Sequence, residues 1–177
     1  MTGRGDGKLI RPSSNPDIEI GISLTTSPVA LDPSSTSPFY IVITARILKS
    51  PHPDRPITLQ AYLNPFESLP NRSISNIQCT SSPESSIPTK YIEIWPRGWP
   101  NYNTGEKDWR KKWKHITIRP DKAHTEYHEV LRQKIAACAP EVGERYKVEL
   151  TDKALGTRFW CWGDLADMEG WRFGRGL

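Results

Sequence analysis

The sequence predicts a mainly β protein: a single immunoglobulin-like or fibronectin-like antiparallel β-sandwich of about seven or eight strands, with one short helix before the penultimate strand. Three observations carry this reading. Apolar and polar residues alternate with period two in short runs. Those runs are separated by connections rich in Ser, Thr and Pro, with Pro alone supplying 16 of 177 residues. Finally, Gly143-Glu144-Arg145-Tyr146 opens an alternating stretch. That is the pattern of a tyrosine corner, in which the hydroxyl bonds back to backbone, here near 140–143, and ties two sheets together.

The elements follow in order. Residues 1–17 have no periodicity and read as a disordered tail, and 18–173 as the sandwich domain. Ile18, Ile20, Ile22 and Leu24 alternate with polar or small residues and mark a strand with one buried face. Phe39 to Leu48 is the most β-rich run and should be a central strand. The prolines at 51, 53 and 56 make a rigid connection to a strand over 57–63. Weaker strand signals lie at 73–79 and 90–95, and a clear short one at 115–119 ends at Pro120. Residues 124–139 support two readings. One is a helix with Thr125 as N-cap; the preferred one is a strand at 124–130 feeding a helix at 131–138, stopped by Pro140. Strands at 144–151 and 157–162 complete the set, and Asp164 should cap a single helical turn ending at Gly170.

Composition narrows the setting. Cys79, Cys138 and Cys161 are an odd, scattered set without a CxxC pair, as expected of free thiols in a reducing compartment. The first residues lack an apolar core for a signal peptide, and no apolar run reaches membrane-spanning length. These features point to a cytoplasmic or nuclear protein with no membrane partner. On that reading the sequon Asn71-Arg72-Ser73 is unused and Arg4-Gly5-Asp6 is coincidental. The net charge is +4, and residues 95–114 account for it: six basic groups stand there against Glu106 and Asp108. The basicity belongs to one loop.

The second half of the chain resembles a family of small β-rich proteins of filamentous fungi. The likeness rests on Ile92-Glu93-Ile94-Trp95-Pro96-Arg97-Gly98-Trp99-Pro100, Gly143 to Tyr146, Leu150 to Lys153, Gly156 to Trp160 and Gly163-Asp164-Leu165. Phe39 to Leu48 and Ile57 to Phe66 fit the same pattern. The resemblance implies a single β-rich domain and brings with it no activity, cofactor or catalytic residue. The insert around Asn103–Lys114 is this chain's own elaboration.

Candidate chemistry is sparse. His124 and His128 share one side whether 124–128 is helix or strand, so they are the candidate zinc ligands. A site would need further ligands from His115, Glu126 or Cys138, and surface histidines are the plainer reading. There is no nucleophile elbow, phosphate loop or dinucleotide fingerprint. The richest segment is 95–114, where Trp99, Trp109 and Trp113 are interleaved with Arg97, Arg110, Lys111, Lys112 and Lys114. Aromatics among cations can stack on bases or sugars, or receive an anionic partner. The alternative is a solvated loop whose first Trp residues belong to the core. In the last strand Trp160 and Trp162 share a face, opposite Phe159 and Cys161, and with Arg158 they would form a patch if exposed.

The leading functional expectation is therefore a non-enzymatic binding module. It would engage another protein through loop 95–114 and the C-terminal Trp-rich strand. Nucleic-acid or polyanion binding by the basic loop is the alternative, with an affinity dominated by phosphate contacts. A third reading is an enzyme or small-ligand domain whose site is assembled from separate loops. No cofactor is implied, and oligomeric state is not legible.

Overall fold

The computed structural model describes residues 9–10, 17–61, 64–67, 77–80, 90–94, 105, 111, 113–151, 157 and 160–168. Its strands are β1 (Leu9–Ile10), β2 (Glu19–Ser27), β3 (Phe39–Lys49), β4 (Ile57–Gln60) and β5 (Ile77–Cys79). They continue with β6 (Tyr91–Ile92), β7 (His115–Ile118), β8 (His124–Val130), β9 (Tyr146–Lys147) and β10 (Trp160–Trp162). A short helix, α1 (Arg132–Cys138), follows β8, and a 3-10 turn spans Leu165–Met168. The described chain is thus mainly β. It is arranged as a four-stranded sheet β1-β2-β3-β8 and two three-stranded sheets, β10-β4-β7 and β6-β5-β9, all antiparallel.

The core follows from the alternation. In β3, Phe39, Ile41, Ile43 and Ala45 point inward, and their antiparallel partners on β2 bring Ile20, Ile22 and Leu24 to the same face. Ile57 and Leu59 of β4 and Ile116 and Ile118 of β7 meet them in one contiguous cluster. Ile77 and Ile92 of the third sheet and Ile135 of α1 join it. Between Glu19 and Ile20 the β2–β3 register shifts, which leaves Leu48 as an extra residue. Leu48 folds back across Gly21, where an added Cβ would lie 2.8 Å from Leu48 Cδ1. The absence of a side chain at 21 is what lets the bulge close.

Residues 124–130 are strand. β3 offers them a full seven-residue register, from Phe39 opposite Val130 to Ala45 opposite His124. Burying Val130 beside Phe39 in that register outweighs the helical spacing of 127, 130, 131 and 135. Leu131 then starts α1, and Ala139 ends it in the left-handed conformation at φ 47° before Pro140. The strand expected over 57–63 stops at Gln60. The Ala61 amide pairs with the Lys114 carbonyl, and the Asn64 side chain turns the chain by bonding the Gln60 carbonyl and the Phe66 amide. Leu9–Ile10 pair with Ile20 and Gly21, so the segment expected to be an unstructured tail contributes a strand.

The expected corner differs in its chemistry. Gly143 turns the chain at φ 93°, and Tyr146 is half-buried. Its hydroxyl donates to Glu144 Oε2 at 2.7 Å, not to a backbone carbonyl near 140–143. The same carboxylate accepts the Glu141 amide at 2.7 Å and both hydrogen bonds of Lys90 at 3.0 Å. An ionised acceptor outcompetes a neutral carbonyl for the phenol. Cys138 Sγ lies 3.6 Å from the same hydroxyl.

Candidate functional site

Two groups of side chains bear on function, and both belong to the sheet β10-β4-β7 and the elements beside it. In that sheet Trp160, Leu59 and Ile116 are in register, as are Trp162, Ile57 and Ile118. The two indoles therefore stand on the inward face, half-buried against the core cluster on the outer strand of the described sheet. Cys161 lies on the opposite face with Thr58 and Thr117. There Thr58 Oγ1 donates to the Gly163 carbonyl at 2.7 Å and meets Thr117 Oγ1 at 2.9 Å. Cys161 is itself buried, whereas the two indoles are half-buried against the core cluster.

The Trp edge is organised by the Pro-rich turn before β4. Ser50 Oγ bonds both the amide and the carbonyl of His52, and the Arg55 amide bonds the His52 carbonyl. The turn thereby brings His52 onto Trp162, edge to face at 4.9 Å, and Arg55 over the same indole at 5.9 Å. Trp160 and Trp162 meet edge to face at 5.6 Å. The Gly163 amide closes on the Pro56 carbonyl, while the Asp164 carboxylate receives the Arg119 guanidinium at 2.9 and 3.0 Å. The result is an aromatic cluster with one cation over it and exposed His52 and Arg55 at its rim.

The second group is polar and faces inward. His124, Glu126 and His128 alternate on the core side of β8, opposite Ala45, Ile43 and Ile41. Glu126 bridges His124 Nε2 at 2.9 Å and Lys114 Nζ at 2.8 Å. Partial burial pushes its carboxyl up, but the Lys114 and His124 hydrogen bonds outweigh that and hold it below its ordinary value. The His124 ring also packs on Phe66 at 5.8 Å. His128 Nε2 bonds the Pro65 carbonyl at 2.8 Å; burial lowers its pKa against that bond, so it is a neutral donor at neutral pH. The two candidate zinc ligands are thus committed to different partners. Among the described residues no three His, Cys, Asp or Glu side chains could hold a metal together.

The remaining expected site residues divide sharply. Arg97, Trp99, Trp109, Arg110, Lys112 and Arg158 lie outside the described residues. Lys111 is exposed and Trp113 half-buried. Lys114 is half-buried, and its ammonium serves Glu126 rather than a basic surface. The end of the 95–114 loop and Trp160 nevertheless share one end of the sheet. His115 pairs with Gln60 and Trp160 with Leu59, which sets β7 and β10 about 10 Å apart across β4. Sequence reasoning missed the Glu126–Lys114 pair and the His52–Arg55 contribution to the Trp edge. The period-two placement of Glu126 between the two histidines was the available signal for the first. Nothing matches this chain among protein-family models, curated proteins or solved structures. Among the described residues no helix is long and apolar enough to cross a membrane.

Proposed function

We propose that the chain is a non-enzymatic binding module of the cytoplasm or nucleus. In this reading it is built as one antiparallel β-sandwich on an immunoglobulin-like plan. It binds a protein partner through the Trp160–Trp162 edge together with the basic loop 95–114. The observation that carries the reading is the half-buried indole pair on β10, with His52 and Arg55 set against Trp162. Core packing alone does not call for a cation over the rim of a hydrophobic cluster. Protein interfaces are enriched in this combination of Trp and Arg, since it offers large contact area and a directional charge. The sandwich is supported by the single cluster shared by all three sheets, and the compartment by three free thiols.

Affinity capture from cells that make the protein, comparing the full chain with Arg55→Glu, tests the proposal. Arg55 is exposed, so the substitution leaves folding intact while reversing the charge over Trp162. A protein retained by the wild type and lost from the variant is the expected result. Equal retention by both, or retention of nothing, contradicts it. If the basic loop instead serves a polyanion, binding to heparin will fall steeply with salt and will be weakened by Lys111→Glu.

A further inference from the structure

The outer face of the four-stranded sheet carries a concavity of its own. There a solvent-open cleft of about 520 Å³ runs between the 34–38 connection and the end of β8. That size falls within the roughly 300–1,000 Å³ of ordinary ligand clefts. Ser34, Ser35, Thr36 and Pro38 line it from the connection, Tyr40 from β3, Glu129 from β8 and Arg132 from α1.

The connection is held in shape by its own side chains. Asp32 Oδ1 accepts the Ser34 amide at 2.9 Å and the Ser34 hydroxyl at 2.7 Å, and Ser35 Oγ accepts the Ser37 amide at 3.0 Å. Arg132 Nη2 donates to the Ser37 carbonyl and so ties the connection to the start of α1. Tyr40 is steadied edge to face by Tyr127 at 5.9 Å, and Tyr127 is itself 61% exposed beside the cleft.

From this lining we infer that the cleft binds an uncharged saccharide. Among the described residues the Glu129 carboxylate makes no ion pair, and Arg132 keeps guanidinium donors beyond the one spent on Ser37. The lining carries one carboxylate and one guanidinium, and the Asp32 carboxylate also acts on Arg132, so the cleft holds no excess positive charge for an anion. Together Glu129 and Arg132 supply acceptors and donors for neighbouring hydroxyls, and charge-assisted hydrogen bonds of this kind are the strong ones. Thr36 adds a hydroxyl that donates and accepts, Ser35 keeps its donor, and Ser34, whose proton goes to Asp32, can still accept. The Tyr40 ring and Pro38 provide the apolar wall that the C–H face of a sugar ring packs against. An apolar ligand would leave Glu129 and Arg132 desolvated without partners, which is costly. The open side of the cleft accommodates a chain longer than one sugar unit.

The test is amide chemical-shift mapping on the full chain. The probes are hexasaccharides of β-1,4-glucose, β-1,3-glucose, β-1,4-N-acetylglucosamine and α-1,6-mannose, with inorganic phosphate as a separate titrant. Saturable shifts confined to residues 34–40 and 127–132 with at least one hexasaccharide are expected. Glu129→Ala and Tyr127→Ala, both at exposed positions, should retain the wild-type spectrum elsewhere. Glu129→Ala should weaken the affinity about tenfold or more, the loss of a charge-assisted hydrogen bond. The inference is overturned if none of the four hexasaccharides shifts these amides. It is also overturned if phosphate shifts them and the sugars do not, which would make this an anion site. Binding that is indifferent to Glu129→Ala would equally place the sugar elsewhere.

Discussion

Replacing Lys114 by Met removes one cation and leaves its partner in place. Lys114 Nζ lies 2.8 Å from Glu126 Oε2, with side-chain exposures of 31% and 22%. Losing one member of an exposed pair costs about 0–1 kcal/mol, and of a buried pair about 3–5 kcal/mol. The Glu126 carboxylate is between those limits and keeps His124, so Lys114→Met should cost about 1–2 kcal/mol at pH 7. In a chain of this size that is a fall of about 2–4 °C in Tm for each kcal/mol. The pH dependence gives the sharper test. In the wild type the Glu126 pKa is held below its ordinary value of 4.5. A depressed carboxyl contributes stability above that value and loses it as pH falls through the folded pKa. Without Lys114 the pKa rises toward the value burial favours, so the penalty is full at pH 7 and shrinks as the carboxyl takes up its proton at acid pH. Urea unfolding of both proteins at pH 7 and pH 4 measures this difference. A cost below about 0.5 kcal/mol at pH 7, or one that is the same at both pH values, would refute the buried-pair reasoning and return Lys114 to the solvated loop.

Three further outcomes follow from the same contacts. Thr58→Val should cost about 1–3 kcal/mol in urea unfolding, because it leaves the Gly163 carbonyl and the Thr117 hydroxyl without their partner; a neutral substitution would mean water replaces it. Tyr146→Phe should raise the Glu144 pKa from about 2, where the Glu141 amide, the Tyr146 hydroxyl and Lys90 hold it, toward 4.5. Because that carboxylate's contribution is present above 4.5 and lost as pH falls through about 2, acid unfolding of the variant should begin at higher pH, and an unchanged Glu144 titration by NMR would contradict the assignment. Thiol titration of the unreduced protein should find Cys79, Cys138 and Cys161 all reactive after denaturation, with buried Cys161 the slowest in the native state; one reactive group would require a disulfide.

The strands were legible because burial of one sheet face writes itself into sequence with period two. Ile20, Ile22 and Leu24 in β2, and Ile41 and Ile43 in β3, sit inward as that alternation requires. The same period was harder to use at 124–130, where the inward positions are His124, Glu126 and His128. Polar residues there mimic a solvated face until Lys114 and the Pro65 carbonyl are in place to receive them. Lys114 belongs by sequence to a run of cations, and its partner comes from across the β7–β8 turn, so local charge counting assigned it to a basic surface. Tyr146 was found by its motif, but its acceptor depends on how Lys90 and the Glu141 amide position Glu144, which no local pattern encodes. The 34–40 cleft joins residues to 129–132 across about ninety positions of chain, beyond the reach of any periodicity.

The Trp160–Trp162 edge can be probed directly by placing a photoreactive benzoylphenylalanine at position 160 and irradiating cells that make the protein. Val142 and Tyr91, both exposed and outside that edge, serve as control positions. A covalent adduct with one protein species from position 160, absent from positions 91 and 142 and lost when Arg55→Glu is added, is the result a docking edge predicts. No adduct at 160, or adducts of equal yield from all three positions, would contradict it.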